Sequence, residues 1–141
     1  MQVQISSGGR LAQPLCLSIM KPKYTTYEDL LDFAEQEYDT FTLVWQNHLS
    51  FTQSAWQVEE DLAPYLISEF SSHKWPGTEI SGGKALVRTY KVSRDSIAVL
   101  RRVSSVFDWL SPDYPEDLAF YKDNQLKFAS TAHEGDAWFE T

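Results

Sequence analysis

The sequence has one cysteine, Cys16, only three histidines, and 12 lysines and arginines against 20 aspartates and glutamates. A single cysteine excludes an internal disulfide and a thiolate metal cluster. A reducing, intracellular setting is expected for such a chain. The formal net charge of −8 argues against nucleic acid or an anionic membrane as partner, because both reward clustered lysine and arginine. No run approaches the ~20 apolar residues of a membrane span. The start, Met1-Gln2-Val3-Gln4-Ile5-Ser6-Ser7-Gly8-Gly9-Arg10, has no basic head leading into an apolar stretch. A soluble, cytoplasmic protein without a cofactor is expected, and its charge calls for a basic partner.

What is present suits a folded globule. The 141 residues fit one domain, and 43% hydrophobic with 14% aromatic content is enough to build a core. Residues 1–13 are weakly patterned and read as a flexible lead-in, with a single α/β domain over 14–141. Leu15, Leu17 and Ile19 alternate with polar or small neighbours as a strand would, until Pro22. Thr25 with Glu28, or Thr26 with Asp29, forms a capping box before a helix with Tyr27, Leu30, Leu31, Ala34 and Tyr38 on one stripe. Phe41 to Gln46 reads as an inner strand, followed by loop residues Asn47, His48 and Ser50.

A second helix begins near Thr52 or Ser54 and turns Ala55, Val58, Leu62, Tyr65 and Leu66 inward, with Pro64 imposing a kink or starting an abutting helix. Lys84 to Val92 is a strand. Ser93 caps a third helix whose buried stripe is Ile97, Leu100, Val103, Phe107 and Leu110, with Arg94, Arg101 and Arg102 solvated. Strict alternation would make the early strands parallel. The expected fold is α/β (α+β): a mixed four- to five-stranded sheet, about three packed helices and a C-terminal β-hairpin.

That hairpin lies within Tyr114 to Glu134. Placing Leu118, Phe120, Leu126 and Phe128 on one face pairs Phe120 with Leu126 and Leu118 with Phe128, leaving Lys122, Asp123 and Asn124 as a three-residue loop with Asn124 left-handed. Extended, this register sets Glu116 opposite Ser130 and brings Asp113 towards His133. Asp113, Glu116, Asp117, Glu134 and Asp136 would then crowd round one histidine. The tail holds Trp138 and Phe139, which are expected to dock on the domain.

Several patterns invite chemistry. His133-Glu134 begins like a zinc-protease motif, but the second-histidine position is Ala137, while His48 and His73 lie in separate loops, so no metal is expected. Gly82-Gly83-Lys84 resembles part of a phosphate loop but leads into a strand, where phosphate binding needs a helix N-terminus. Cys16, with no local histidine, reads as a small buried residue. Glu116, Asp117 and His133 could supply general acid and base at the hairpin mouth of a small hydrolase or ligand-binding domain. The other candidate surface is Trp56 bordering Glu59, Glu60 and Asp61, an aromatic anchor beside an acidic run.

Trp75-Pro76-Gly77-Thr78, Pro115-Glu116-Asp117-Leu118-Ala119-Phe120-Tyr121 and Ser130-Thr131-Ala132-His133-Glu134 resemble a family of small uncharacterised bacterial proteins, some labelled stage III sporulation protein AH. The resemblance spans roughly residues 40–138 and implies no chemistry for these motifs. The ring components that bear that name are membrane-anchored, and no anchor is expected here. By class, a small acidic α/β chain without a catalytic signature resembles immunity proteins of bacterial toxin systems. The leading expectation is a non-enzymatic protein that neutralises a basic partner through Trp56, Glu59, Glu60, Asp61, Asp113, Glu116, Asp117, His133 and Glu134. A structural homodimer is the third reading.

Overall fold

Helix α1 (Tyr27–Glu37) starts where Thr26 supplies a side-chain cap, its hydroxyl accepting from the Asp29 amide at 3.1 Å. Glu28 and Asp29 in the first turn complement the positive helix terminus. The computed structural model describes residues 26–46 and 51–140. The lead-in, the strand around Leu15 to Ile19, Cys16, Thr25 and His48 lie outside the described residues. Leu30, Leu31 and Ala34 are buried and Tyr27 and Tyr38 pack beside them, the stripe that the sequence spacing predicts.

Strand β1 (Thr40–Trp45) is buried on both faces from Phe41 onward. Helix α2 (Gln53–Leu62) buries Ala55, Val58 and Leu62, and Pro64 sits in the first turn of a 3-10 segment, Ala63–Tyr65, as the kink expectation required. The chain then departs from expectation. Leu66 does not continue a helix but opens strand β2 (Leu66–Ser72), and its side chain is exposed. Proline has removed the helical amide, and Leu-Ile-Ser-Glu-Phe is a run that a sheet edge accommodates.

A short hairpin follows, β3 (Lys74–Trp75) and β4 (Thr78–Glu79), turning at Pro76-Gly77. Strand β5 (Ala85–Lys91) leads to α3 (Arg94–Leu100), capped reciprocally by Ser93 and Ser96. The third helix is shorter than expected. Asp108 accepts from the amides of Ser104 and Ser105, and the Ser105 hydroxyl accepts from the Phe107 amide. These local bonds replace the helical ladder and wind a separate 3-10 turn, Val106–Asp108. Phe107 is consequently exposed rather than buried. Arg101, expected in solvent, ties α3 to α1 through Glu28, Asp32 and Glu35.

Strands β6 (Glu116–Lys122) and β7 (Gln125–Thr131) form the hairpin, but in another register. Phe120 faces Phe128, Tyr121 faces Leu126, and Lys122 faces Gln125. The turn has two residues, Asp123 and Asn124, both at positive φ (53° and 65°), the geometry a two-residue hairpin turn demands. The Asp123 amide donates to Asp39 at 2.7 Å. A shift between Phe120 and Tyr121 then returns Leu118, Phe120 and Phe128 to the core and leaves Leu126 half-exposed. The tail docks by forming strand β8 (Asp136–Phe139) on β7.

The strands make one sheet ordered β2-β5-β1-β6-β7-β8, six strands where four or five were expected. Its pairings are antiparallel, including those of β1, so the expected parallel strands are replaced. Phe41, Leu43, Trp45, Tyr90, Leu118, Phe120 and Phe128 join residues of the three helices in the main core. Val44, Ala85 and Val87 meet Trp75 in a second, smaller core. The result is a single α+β domain with a C-terminal hairpin.

Gly77 holds the small hairpin against the sheet. Its φ is +82°, and a Cβ there would lie 2.5 Å from a Trp138 ring carbon and 2.7 Å from the Thr131 methyl. Gly77→Ala is expected to cost about 2 kcal/mol or more in urea denaturation, combining backbone strain with overpacking. In a Trp138→Ala background the same change should cost about 1 kcal/mol less, because those two sites couple by contact. Equal costs in both backgrounds would deny that contact.

Candidate functional site

The hairpin mouth contains buried carboxylates, not an open acidic rim. Glu116 and Asp117 are 6% and 3% exposed. Glu116 accepts from the Gln46 side-chain amide at 2.5 Å and from the Ser111 amide at 3.2 Å. Asp117 stands at φ 59° where the β1–β6 register shifts, a left-handed position that aspartate tolerates better than most residues. Its carboxylate accepts from the Trp75 indole at 2.8 Å and from the Ala132 amide at 2.9 Å. Burial pushes the Asp117 carboxyl above the usual aspartate range, against the opposing pull of those two donors.

Of the remaining acids, Glu134 lies beside His133, while Asp113 and Asp136 have other neighbours. Asp113 accepts from the Thr52 hydroxyl at 3.0 Å, and Asp136 opens β8 opposite Thr131. His133 is exposed, its ring nitrogen 3.6 Å from a Glu134 oxygen. A general acid–base pair would need His133 within hydrogen-bond reach of Glu116 or Asp117. Both carboxylates instead face other donors. Among the described residues, no group of three or more histidine, cysteine, aspartate or glutamate side chains could hold a metal.

The α2 surface is also organised differently from its sequence expectation. Trp56 is half-buried, its ring edge-on to Phe51 at 5.6 Å, so it belongs mainly to the core. Asp61 pairs with Arg102 at 2.7 Å. Glu59 meets Arg88 at 2.5 Å, and Arg88 also meets Glu69 of β2 at 2.9 Å while lying over the Trp45 ring. Glu60 is exposed. Two partly exposed carboxylates thus share one guanidinium that is only 13% exposed.

Beside this pair, β2 exposes Leu66, Ile67 and Phe70 at the end of the sheet. Sequence reasoning missed the surface because it placed Leu66 in a helix. The available signal was Pro64 followed by a β-rich run. A separate open cleft of about 480 Å³ lies between the start of α1 and the end of α3. Arg101 and Arg102 line it but already engage carboxylates, and burial raises the Tyr27 phenol well above its ordinary range.

No described helix is long and apolar enough to cross a membrane. No protein-family model, curated protein or solved structure matches the chain.

Asp117 makes a pH prediction. Its folded pKa is raised, so the folded state holds this proton more readily than the unfolded chain. Its contribution is therefore greatest in acid and falls as pH rises from the ordinary value of 3.8 through the folded pKa. The unfolding free energy of the wild type relative to Asp117→Asn is expected to decline across that window and level off above it. Urea titrations from about pH 3 to about pH 8 measure this, and a pH-independent difference would contradict the burial-driven shift.

Proposed function

We propose that this chain is a non-enzymatic, acidic binding protein that neutralises a basic protein partner, in the manner of an immunity protein in the bacterial cytoplasm. The observation that carries this reading is the junction of α2 and β2. There, Glu59 and Glu69 bracket a largely covered Arg88 beside exposed Leu66, Ile67 and Phe70. A strand edge that exposes apolar side chains and carries accessible carboxylates on one of its faces offers both halves of an interface: area that leaves water, and charge that steers and selects the encounter.

The net charge of −8 extends that bias over the whole molecule. Glu60, Asp113, His133 and Glu134 remain exposed and available to a partner. Glu116 and Asp117 are buried and serve the fold, so the partner-facing set shifts from the hairpin mouth towards β2. The Trp75-to-Thr78, Pro115-to-Tyr121 and Ser130-to-Glu134 segments support a proposed kinship with a family of small bacterial proteins.

The test is calorimetric titration of the full chain with basic candidate proteins, those encoded near its gene among them. One of them is expected to bind, with affinity falling roughly tenfold or more between about 0.05 M and about 0.3 M salt. Glu60→Lys is expected to weaken the complex chiefly by slowing association. No binding at either ionic strength, or binding indifferent to salt, would contradict the proposal.

A further inference from the structure

Strand β2 is a terminal strand of the six-stranded sheet, joined to β5 on one side from Leu66 to Ser72. Such a strand directs about half of its backbone N–H and C=O groups away from its neighbour. Folded proteins usually blunt an edge of this kind with charged side chains, proline, a bulge, shortness or a covering segment. Leu66-Ile67-Ser68-Glu69-Phe70-Ser71-Ser72 contains no lysine or proline, runs seven residues, and is exposed from Leu66 through Ser71; its one charge is Glu69 and its bulge, between Leu66 and Ser68, leaves Ser68 to Ser72 regularly paired. The opposite edge, β8, has four residues, of which Ala137, Trp138 and Phe139 are partly buried. Among the described residues the two edges are therefore protected unequally.

We infer that β2 is a docking strand that takes an extended, basic segment of the partner as an added strand of the sheet. The inference rests on the proposed function and specifies its mode. Cross-strand neighbours share a face, so Glu69 lies on the side of Arg88, and Phe70 on the opposite side with Val87. A residue opposite Glu69 on an incoming strand meets the Glu69 and Glu59 carboxylates, with Arg88 tucked behind them. The next residue faces Phe70. The edge therefore fits a segment in which basic and apolar residues alternate.

A second copy of the chain fits less well. Twofold antiparallel pairing of a strand with itself sets one residue opposite its own copy. Centred on Glu69, that pairing opposes two carboxylates; centred on Ser68 it sets Glu69 against Ile67, and centred on Phe70 against Ser71, so in none of the three does a cation meet the Glu69 carboxylate. Each copy also carries a net charge of −8, so approach is resisted before contact.

The test follows backbone amides of the full chain by NMR during titration with synthetic peptides. One is a Lys/Val alternating peptide of about eight residues, long enough for a strand. The others are its Glu/Val counterpart and two Lys/Val peptides N-methylated on alternate residues in opposite phase. The Lys/Val peptide is expected to shift the Leu66–Ser72 amides and slow hydrogen exchange of those that point away from β5 roughly tenfold or more. One methylation phase should abolish this and the other preserve it. Ile67→Lys with Phe70→Lys should weaken binding by about tenfold or more while leaving the remaining spectrum unchanged.

Shifts centred on Glu60 or Glu134 and indifferent to methylation would overturn β2 docking while leaving a basic partner in place. Equal binding of the Glu/Val peptide at β2 would overturn the basic partner instead. A dimer dispersed by Phe70→Lys in sedimentation would overturn the heterologous occupant. Absence of any peptide response at β2 would overturn the inference outright.

Discussion

The fold depends on one buried carboxylate. Asp117 ties β6 to the small hairpin through the Trp75 indole and to the end of β7 through the Ala132 amide. An unpaired buried carboxylate would cost several kcal/mol, so the two donors are conditions for placing it there. Hydrogen bonds to a charged group contribute about 1.5 to 3 kcal/mol each. The left-handed turn at Asp117 aims the carboxylate between those donors, and the same irregularity lets Glu116 bond with Gln46 and Ser111. The Trp75-to-Thr78, Pro115-to-Tyr121 and Ser130-to-Glu134 segments meet here, which gives all three a structural role. A hairpin mouth built this way is closed by its own acids.

The helical layer is held by analogous polar ties. Tyr27 donates to the Leu100 carbonyl at 2.7 Å and accepts from the Trp109 indole at 2.8 Å, joining α1, α3 and the segment before β6. Arg101 adds three carboxylates of α1 from outside. These contacts fix the ends of the helices while the aliphatic and aromatic core supplies the bulk of the burial. With the helical layer supported in this way, β2 stands at one end of the sheet and, among the described strands, pairs with β5.

Local signals were legible wherever a residue acts through its own backbone or its own stripe. Thr26 and Ser93 cap as their neighbours require, Phe41 to Trp45 is the inner strand, and Pro64 breaks α2. Legibility failed where two local choices compete. Ser104 and Ser105 could continue a helix until Asp108 is seen to accept their amides, and that preference is conformational rather than periodic. Asp123-Asn124 can close a turn in two residues because both tolerate positive φ, and the shift at Phe120 then repairs the apolar face. Spacing alone could not distinguish that pair of irregularities from one regular register. Least legible was the burial of Glu116 and Asp117. Charge predicts solvent, and the side-chain donors that reverse it, Trp75 some forty residues earlier and Gln46, are distant in sequence.

Arg88 and Arg101, 13% and 28% exposed, each neutralise more than one carboxylate from beneath or between elements. Their acidic partners are the more accessible members of each group, up to 64% for Asp32. An approaching molecule therefore meets carboxylates before guanidinium groups, and the local field is more negative than a count of pairs suggests. Screening acts most strongly on such exposed charge, over about 8 Å at physiological salt. Long-range attraction of a basic partner and its sensitivity to salt thus share one structural cause: Arg88 and Arg101 lie on the inner side of their ion pairs, whereas in the Arg102–Asp61 pair the arginine is the outer member.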